Sequence, residues 1–371
     1  MAEELAMSVS VDNRRTRLRP ALAAVLTVLI LVPAAILFAR VWGTLADQRD
    51  STELERQGVE YVAALAPLVS SLAEAQSSAL AGVTAAPGSL NAAVNGVAAV
   101  DQRLGETLRT RERWTDLRDK IDKLPKTTSS PLLVFQAHVE VTDLALALYN
   151  TVRDNSELTR DPDNDVSHLQ QAIAVDLPAA VVQVSRMGDL SKLVAEASPQ
   201  LRAQLAPQFG AAVQSVNSTV NSLTDNLQAA VDDTSSTTLS GELVSGLDSF
   251  RRGVESLTRG ANPGGIPNTA TMATAQSQLQ VSLGNLSGIV SREMTALLSD
   301  RMDDLDSQAL VALAAGGAAV LLVAAAVVTA LTGRSRRARD EATDSAGRDL
   351  GATAPAYDDN ATRRERSGAL R

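Results

Sequence analysis

The 371-residue sequence predicts an all-α protein: two transmembrane helices flanking an extracytoplasmic antiparallel helical bundle, read as two stacked four-helix bundles. Three observations carry this. Aromatic residues make up 2% of the chain and Cys is absent, so Ala, Val and Leu must fill the core, and Ala and Leu are strong helix formers. Apolar residues recur at helical spacing through most of the chain. Two long uncharged apolar runs stand near its ends.

Without cysteine there is no disulfide framework, no Cys-ligated zinc and no thiol nucleophile. Arg outnumbers Lys 30 to 4, and Ala is abundant, a composition typical of GC-rich bacterial coding sequence.

An N-terminal arm, 1–19, carries Arg14, Arg15, Arg17 and Arg19. The first run, Ala21 to Ala39, has 19 residues without a charge. At about 1.5 Å per residue it matches a hydrocarbon core of about 30 Å, which places transmembrane helix 1 at 20–42. A cleaved signal peptide shares the basic flank, but this run is longer than a usual h-region and no clear A-x-A site follows. Pro33 is tolerated in a membrane helix.

The second run, Ala309 to Leu331, is 23 residues long and precedes Arg334, Arg336, Arg337 and Arg339. It defines transmembrane helix 2 at 309–331. Its small pairs, Ala312 with Gly316 and Ala315 with Ala319, permit close helix contact. Basic flanks at both outer ends put both termini in the cytoplasm and the bulk of the chain outside the cell membrane. The tail 332–371 lacks an apolar stripe and reads as disordered, its first Arg cluster lying against anionic lipid.

The outward segment, 43–308, holds 20 basic and 33 acidic residues. That sign excludes nucleic acid as a partner there. Leu54, Tyr61, Leu65, Leu68, Leu72 and Ala79 form one helix face continuing from the first anchor. A second face runs Leu90, Val94, Val97, Leu104, Leu108 and resumes out of phase at Trp114, Leu117, Ile121 and Leu124, like a coiled-coil stutter. Pro87-Gly88 divides these helices, and the stretch from Pro125 to Pro131 ends the second.

Leu132, Phe135, Val139, Thr142, Leu146 and Tyr149 make a third helix ending near Asp154-Asn155. After turn chemistry at 159–165, a fourth starts with Val166, Leu169, Ile173 and Leu177 and is expected to bend at Pro178. Ser198-Pro199 has the form of an N-cap with Pro at the first helical position. A fifth stripe follows from Leu201 to Leu227, and a sixth from Leu239 to Leu257. Beyond the Asn262–Pro267 loop, a last stripe from Leu279 to Leu305 enters the second anchor. Such short connections make antiparallel neighbours.

Chemistry-bearing motifs are scarce. His138 and His168 are the only histidines, thirty residues apart, and His138 borders an apolar stripe as a structural histidine would. No hydrolase elbow, P-loop or dinucleotide fingerprint occurs, so no enzymatic activity and no cofactor are expected. Asp161, Asp163 and Asp165 alternate like the start of a Ca²⁺ loop. However, Val166 replaces its glycine and Ala172 its terminal glutamate, so no metal site follows.

Three segments resemble the helical periplasmic sensor domains of bacterial methyl-accepting chemotaxis proteins and related sensor kinases. They are Gly58-Val59-Glu60-Tyr61, the run Asp154-Asn155-Ser156-Glu157-Leu158-Thr159-Arg160-Asp161-Pro162-Asp163-Asn164-Asp165 with Leu177-Pro178 twelve residues on, and Leu298-Ser299-Asp300-Arg301-Met302. The chain departs at Ala75-Gln76-Ser77, where the family often has His-Arg-Gly, and at Ser167-His168, where an aromatic pair is usual. Nitrate- and nitrite-sensing helical domains of bacterial kinases are a second likeness. After Leu331 such receptors continue into a HAMP linker and signalling coiled coil, whereas 40 residues follow here.

The resemblance implies a membrane-anchored, receptor-like protein that binds a small molecule or protein partner outside and transmits through its two membrane helices. Its output would come from a separately encoded cytoplasmic signalling protein. The alternative is a non-sensing envelope scaffold built on the same bundle. Membrane lipid is the further expected partner, and bundle packing allows a homodimer. The candidate ligand-binding residues are Asp161, Asp163, Asp165, Ser167 and His168, where a turn meets the Pro178 bend and irregular backbone leaves polar groups free. The same turn reads first of all as a capped helix start, with Asp163 or Asp165 as N-cap.

Overall fold

The computed structural model describes residues 12–83, 87–124, 130–159, 161, 163–234, 237–262 and 266–348. They are all-helical, and no strand occurs among them. In chain order the elements are α1 (Asp12–Leu80), α2 (Gly88–Leu104), α3 (Arg111–Ile121), α4 (Pro131–Asn155), α5 (Asn164–Gln171), a π-helical turn (Ala172–Asp176), α6 (Leu177–Glu196), α7 (Pro199–Asp233), α8 (Thr237–Ala261) and α9 (Thr269–Arg348).

The boundaries follow the local chemistry in most places. Ser198 caps α7 by accepting the Leu201 N–H at 3.4 Å, with Pro199 at the first helical position. Two expectations change. The stutter between Leu108 and Trp114 is a chain reversal between α2 and α3. Arg109 takes a positive φ of 52°, and the Thr110 N–H donates to the Gly105 carbonyl at 2.9 Å. Buried Asp101 holds this turn, accepting from the hydroxyls of Tyr61 at 2.8 Å and Thr110 at 2.7 Å.

Near Pro178 the backbone widens rather than merely bending. Pro178 has no N–H to offer residue 174, and its ring crowds that carbonyl. The preceding turn adopts i→i−5 bonding, with the Leu177 N–H on the Ala172 carbonyl. Past the second apolar run, α9 continues as helix from Thr332 to Arg348. A helix already nucleated extends cheaply through Ala, Arg and Glu. Residues 125–129, 263–265 and 349–371 lie outside the described residues.

The chain divides into two compact units, Trp42–Ala309 and the pair Met1–Val41 with Leu310–Arg371. In the first, side-chain pairs give the helix directions. Ser89 donates to Glu74 at 2.9 Å while Tyr61 meets Asp101, so α2 descends along α1. The end of α4 packs at Gly58, where a Cβ would collide with Ser156 and Leu158. Asp189 of α6 meets Ser77, and α7 returns to pair Asn226 with Asp176.

Three glycines seven residues apart, Gly246, Gly253 and Gly260 of α8, face Leu286, Leu279 and Met272 of α9 in strict antiparallel register. Side chains of α6 meet those of α1 and α4, and α9 meets α1, so these four helices share the centre of the unit. Six of the nine aromatics, Tyr61, Trp114, Phe135, Tyr149, Phe209 and Phe250, are buried in this core.

Among the described residues, two helical stretches are long and apolar enough to cross a membrane: Pro131–Asn155 and Thr269–Val328. They differ in burial, which is 44% of the apolar window in the first and 0% in the second. The first is α4, a core helix. In the smaller unit, large apolar side chains stand exposed on both chain segments, including Leu29, Ile36 and Leu37 of α1 and Leu310, Leu321 and Leu322 of α9. Gly316 there receives the Phe38 ring so closely that a Cβ would sit 2.8 Å from it.

Candidate functional site

Along the meeting line of α1, α6 and α9 lie three features: an ion cluster, a cavity and a second polar cluster. Each is built by polar or small residues placed in phase with apolar stripes.

The ion cluster centres on Arg301 of α9. Its two terminal nitrogens bond the two carboxylate oxygens of Asp161 at 2.7 Å each. One also reaches Asp163 at 2.7 Å and the other Glu55 of α1 at 3.4 Å. Bidentate pairing of this kind is the strong form of an Arg–carboxylate contact. The Asp161 side chain is fully buried and that of Glu55 nearly so.

One cation therefore faces three carboxylates. Burial, and next the charge of Asp161, raise the Glu55 pKa to about 8, so this carboxyl carries a proton at neutral pH. Arg301 stays protonated, its pKa pushed further up by its bond to Asp161.

The three segments that stood out in the sequence converge here. Gly58 of the first makes room for Ser156 and Leu158 of the second, and Arg301 of the third grips Asp161 and Asp163 of the second. Tyr61 is buried against Asp101, with its phenol pKa driven up by burial.

The five candidate residues do not surround one void. Asp163 occupies the N-cap position of α5, but its carboxylate is on Arg301 rather than on a backbone N–H. Asp165 accepts the Val166 N–H at 2.8 Å. Ser167 donates its N–H to the Asp163 carbonyl, and His168 turns to Asn226 of α7, 3.2 Å away. Asp163 and Asp165 line an open acidic cleft with Asp233, Asp300 and Asp304. Among the described residues no group of three His, Asp or Glu side chains is arranged to hold a metal ion.

Asp189 of α6 anchors the second polar cluster. It is fully buried and accepts from Gln76 at 2.9 Å, Ser77 at 2.9 Å and Lys192 at 3.2 Å. Gln276 of α9 donates to Ser77 at 3.3 Å, so α1, α6 and α9 meet in one network. Burial raises the Asp189 pKa against the pull of Lys192 and its hydrogen-bond donors. Gln76 and Ser77 belong to the triplet where the family resemblance breaks down, and here they serve this buried carboxylate.

Between the clusters lies a cavity of about 460 Å³. Ala63, Ala66 and Ser70 line it from α1, Tyr149 from α4, Ile173 and Pro178 from the widened turn and the start of α6, and Gly284 to Arg292 from α9.

Sequence reasoning missed Glu55, Arg301, Asp189 and Gln76 as members of sites. A signal existed for two of them. Arg301 falls in phase with buried Met294, Leu298 and Leu305, and Glu55 with buried Val59, Val62 and Val69. His138 is buried, and burial lowers its pKa to about 4, so its imidazole is neutral.

No protein family, characterised protein or solved structure matches the chain. Fold and site thus define its class: among the described residues, an all-helical protein with two stretches long and apolar enough to cross a membrane and a helical core that buries polar clusters.

Proposed function

We propose that the protein is a membrane-anchored, receptor-like sensor. An extracytoplasmic bundle of two four-helix groups sits between transmembrane helices at 20–42 and 309–331. It binds a small molecule or protein partner and passes the event through α1 and α9 to a cytoplasmic signalling partner. One observation carries the reading: Arg301 ties α9 to α1 and to the 156–163 turn at a single level, through Glu55, Asp161 and Asp163. With three carboxylates on one cation, a change of protonation or contact at any one of them alters the bonds open to the others, which gives a route from this cluster to both helices.

Two further facts support it. Both helices run unbroken from the bundle into stretches with exposed Leu, Ile and Val, which lipid would solvate and water would not. The three converging segments are those similar to chemoreceptor sensor domains.

The chain has no cysteine, so two can be introduced without background. Spin labels at Asp47→Cys and Asp303→Cys in nanodisc-embedded protein report the α1–α9 distance. Screening amino acids, organic acids and nitrate should yield a compound that shifts this distance and raises the melting temperature. If no compound moves it, and cross-linking in cells captures a ligand-independent envelope partner instead, the scaffold reading holds.

A further inference from the structure

We propose that the cavity between α1, α4, α6 and α9 is the binding site of a small amphiphilic anion, an apolar body bearing one carboxylate. This deepens the receptor reading and rests on it for its consequence, though not for the binding itself.

At about 460 Å³ the cavity has the size of a small-molecule site. On α9 it is edged by Gly284 and Gly288, beside the buried Leu283. Glycine is a poor residue in a helix interior, and a buried helix keeps it when packing demands it. On α8 packing does demand it: a Cβ on Gly253 would lie 2.7 Å from Leu279, and one on Gly246 would lie 2.6 Å from Leu286. Gly284 and Gly288 differ, since a Cβ on either meets nothing within 4 Å. Both are exposed on the surface of α9, so no neighbour requires them to be bare, and they edge the open side of the cavity. They also line a groove of about 670 Å³ against α8, which offers a way in.

The lining names the ligand class. Ile173, Leu177, Val181 and the Tyr149 ring give it an apolar wall. Ser70, Ser287 and Ser291 bring hydroxyls, and among the described residues none of these makes a side-chain hydrogen bond to the protein. Arg292 is the one charged residue on the lining. Its guanidinium is engaged only by Glu242 at 3.0 Å, in a pair exposed on both sides, which binds weakly and can be exchanged. No carboxylate lines the cavity itself; Glu242, in the adjoining groove, is already paired with Arg292, whereas an anionic head finds Arg292 with Ser287 and Ser291 one helical turn apart.

The test uses full-length protein in nanodiscs, titrated calorimetrically with benzoate, benzyl alcohol and benzylamine, three probes with one body and different charge, against empty nanodiscs. Benzoate should bind at least about tenfold more tightly than either of the others. Arg292→Gln should erase that preference. Gly288→Leu should abolish binding while leaving the circular dichroism spectrum and melting temperature intact, and Gly288→Ala should weaken it, so a folding defect in one is checked by the other.

Equal binding of all three probes, or undiminished binding to Gly288→Leu, overturns the assignment. The spin-label pair separates the two ideas. Benzoate binding with no change in α1–α9 distance keeps the cavity site and sinks the receptor reading. A distance change caused by a compound that benzoate does not displace sinks the cavity site and keeps the receptor reading.

Discussion

Arg301 and Asp161 are joined by two parallel 2.7 Å hydrogen bonds, and the Asp161 side chain has no exposure to solvent. This pair fastens a loop with turn-forming sequence to the base of the bundle. Its neighbours Glu55 and Asp163 complete a cluster with more acid than base.

Removing the cation strands a buried carboxylate. Arg301→Ala should therefore destabilise the protein by about 3 kcal/mol, toward the lower end for a broken buried pair because the arginine keeps some solvent contact. Arg301→Lys should recover only part of this, since an ammonium cannot bond both oxygens in a fork. Thermal unfolding followed by circular dichroism checks both, and an unchanged melting temperature in Arg301→Ala would show that the cluster contributes nothing.

The raised pKa of Glu55 has a defined signature. The folded state holds this proton up to about pH 8, while the unfolded chain releases it near the ordinary glutamate value of 4.5. Stability from this group is therefore full below about pH 4.5 and is lost progressively as pH rises toward 8, where the folded state ionises too. Asp176 and Asp189, also raised by burial, act with the same sign. Glu55→Gln should keep the fold and shrink the fall in melting temperature between pH 5 and pH 9. An identical pH profile in the two proteins would rule out protonation of Glu55.

At the second polar cluster, Asp189→Ala leaves the buried amide of Gln76 without its acceptor and should cost about 1–3 kcal/mol. Adding Gln76→Leu to that variant should regain part of the loss, because the orphaned donor is then gone. Denaturant unfolding of the single and double variants measures the coupling, and strict additivity would deny it.

Glycines of two kinds should respond oppositely to alanine. Gly253→Ala forces a methyl into Leu279 and should destabilise by about 1–3 kcal/mol. Gly96→Ala, in α2 with nothing within 4 Å of the added carbon, should stabilise by up to about 1 kcal/mol through helix propensity alone. Melting temperatures moving in the same direction would contradict the packing seen between α8 and α9.

Much of the architecture was legible because helix stripes are local. Tyr149, Phe209 and Phe250 fall in the core as their spacing required, and Ser198-Pro199 starts α7 as capping chemistry required. The α2–α3 reversal was not legible, since a jump in apolar phase looks alike whether a helix is overwound or broken. What breaks it is Asp101, which reaches Tyr61 forty residues away in sequence.

The candidate site divides along the same line. Asp161 and Asp163 were visible as unusual residues in a turn, but their partner lies 140 and 138 residues further on. Periodicity marked Arg301 and Glu55 as polar side chains on apolar rows, yet it carries no information on which rows face each other.

The sequence by itself determined an all-helical chain with few aromatics, because composition and 3.6-residue periodicity act within single helices. Tertiary structure alone decided that α1, α6 and α9 meet through a shared polar cluster, that the Pro178 backbone widens into a π-helical turn, and that small residues on α1 and α9 line a cavity between two polar clusters. The physical reason is range. Helix formation is settled over a few residues, whereas the pairing of Arg301 with Asp161 and the emptiness beside Gly284 and Gly288 depend on which distant faces pack together.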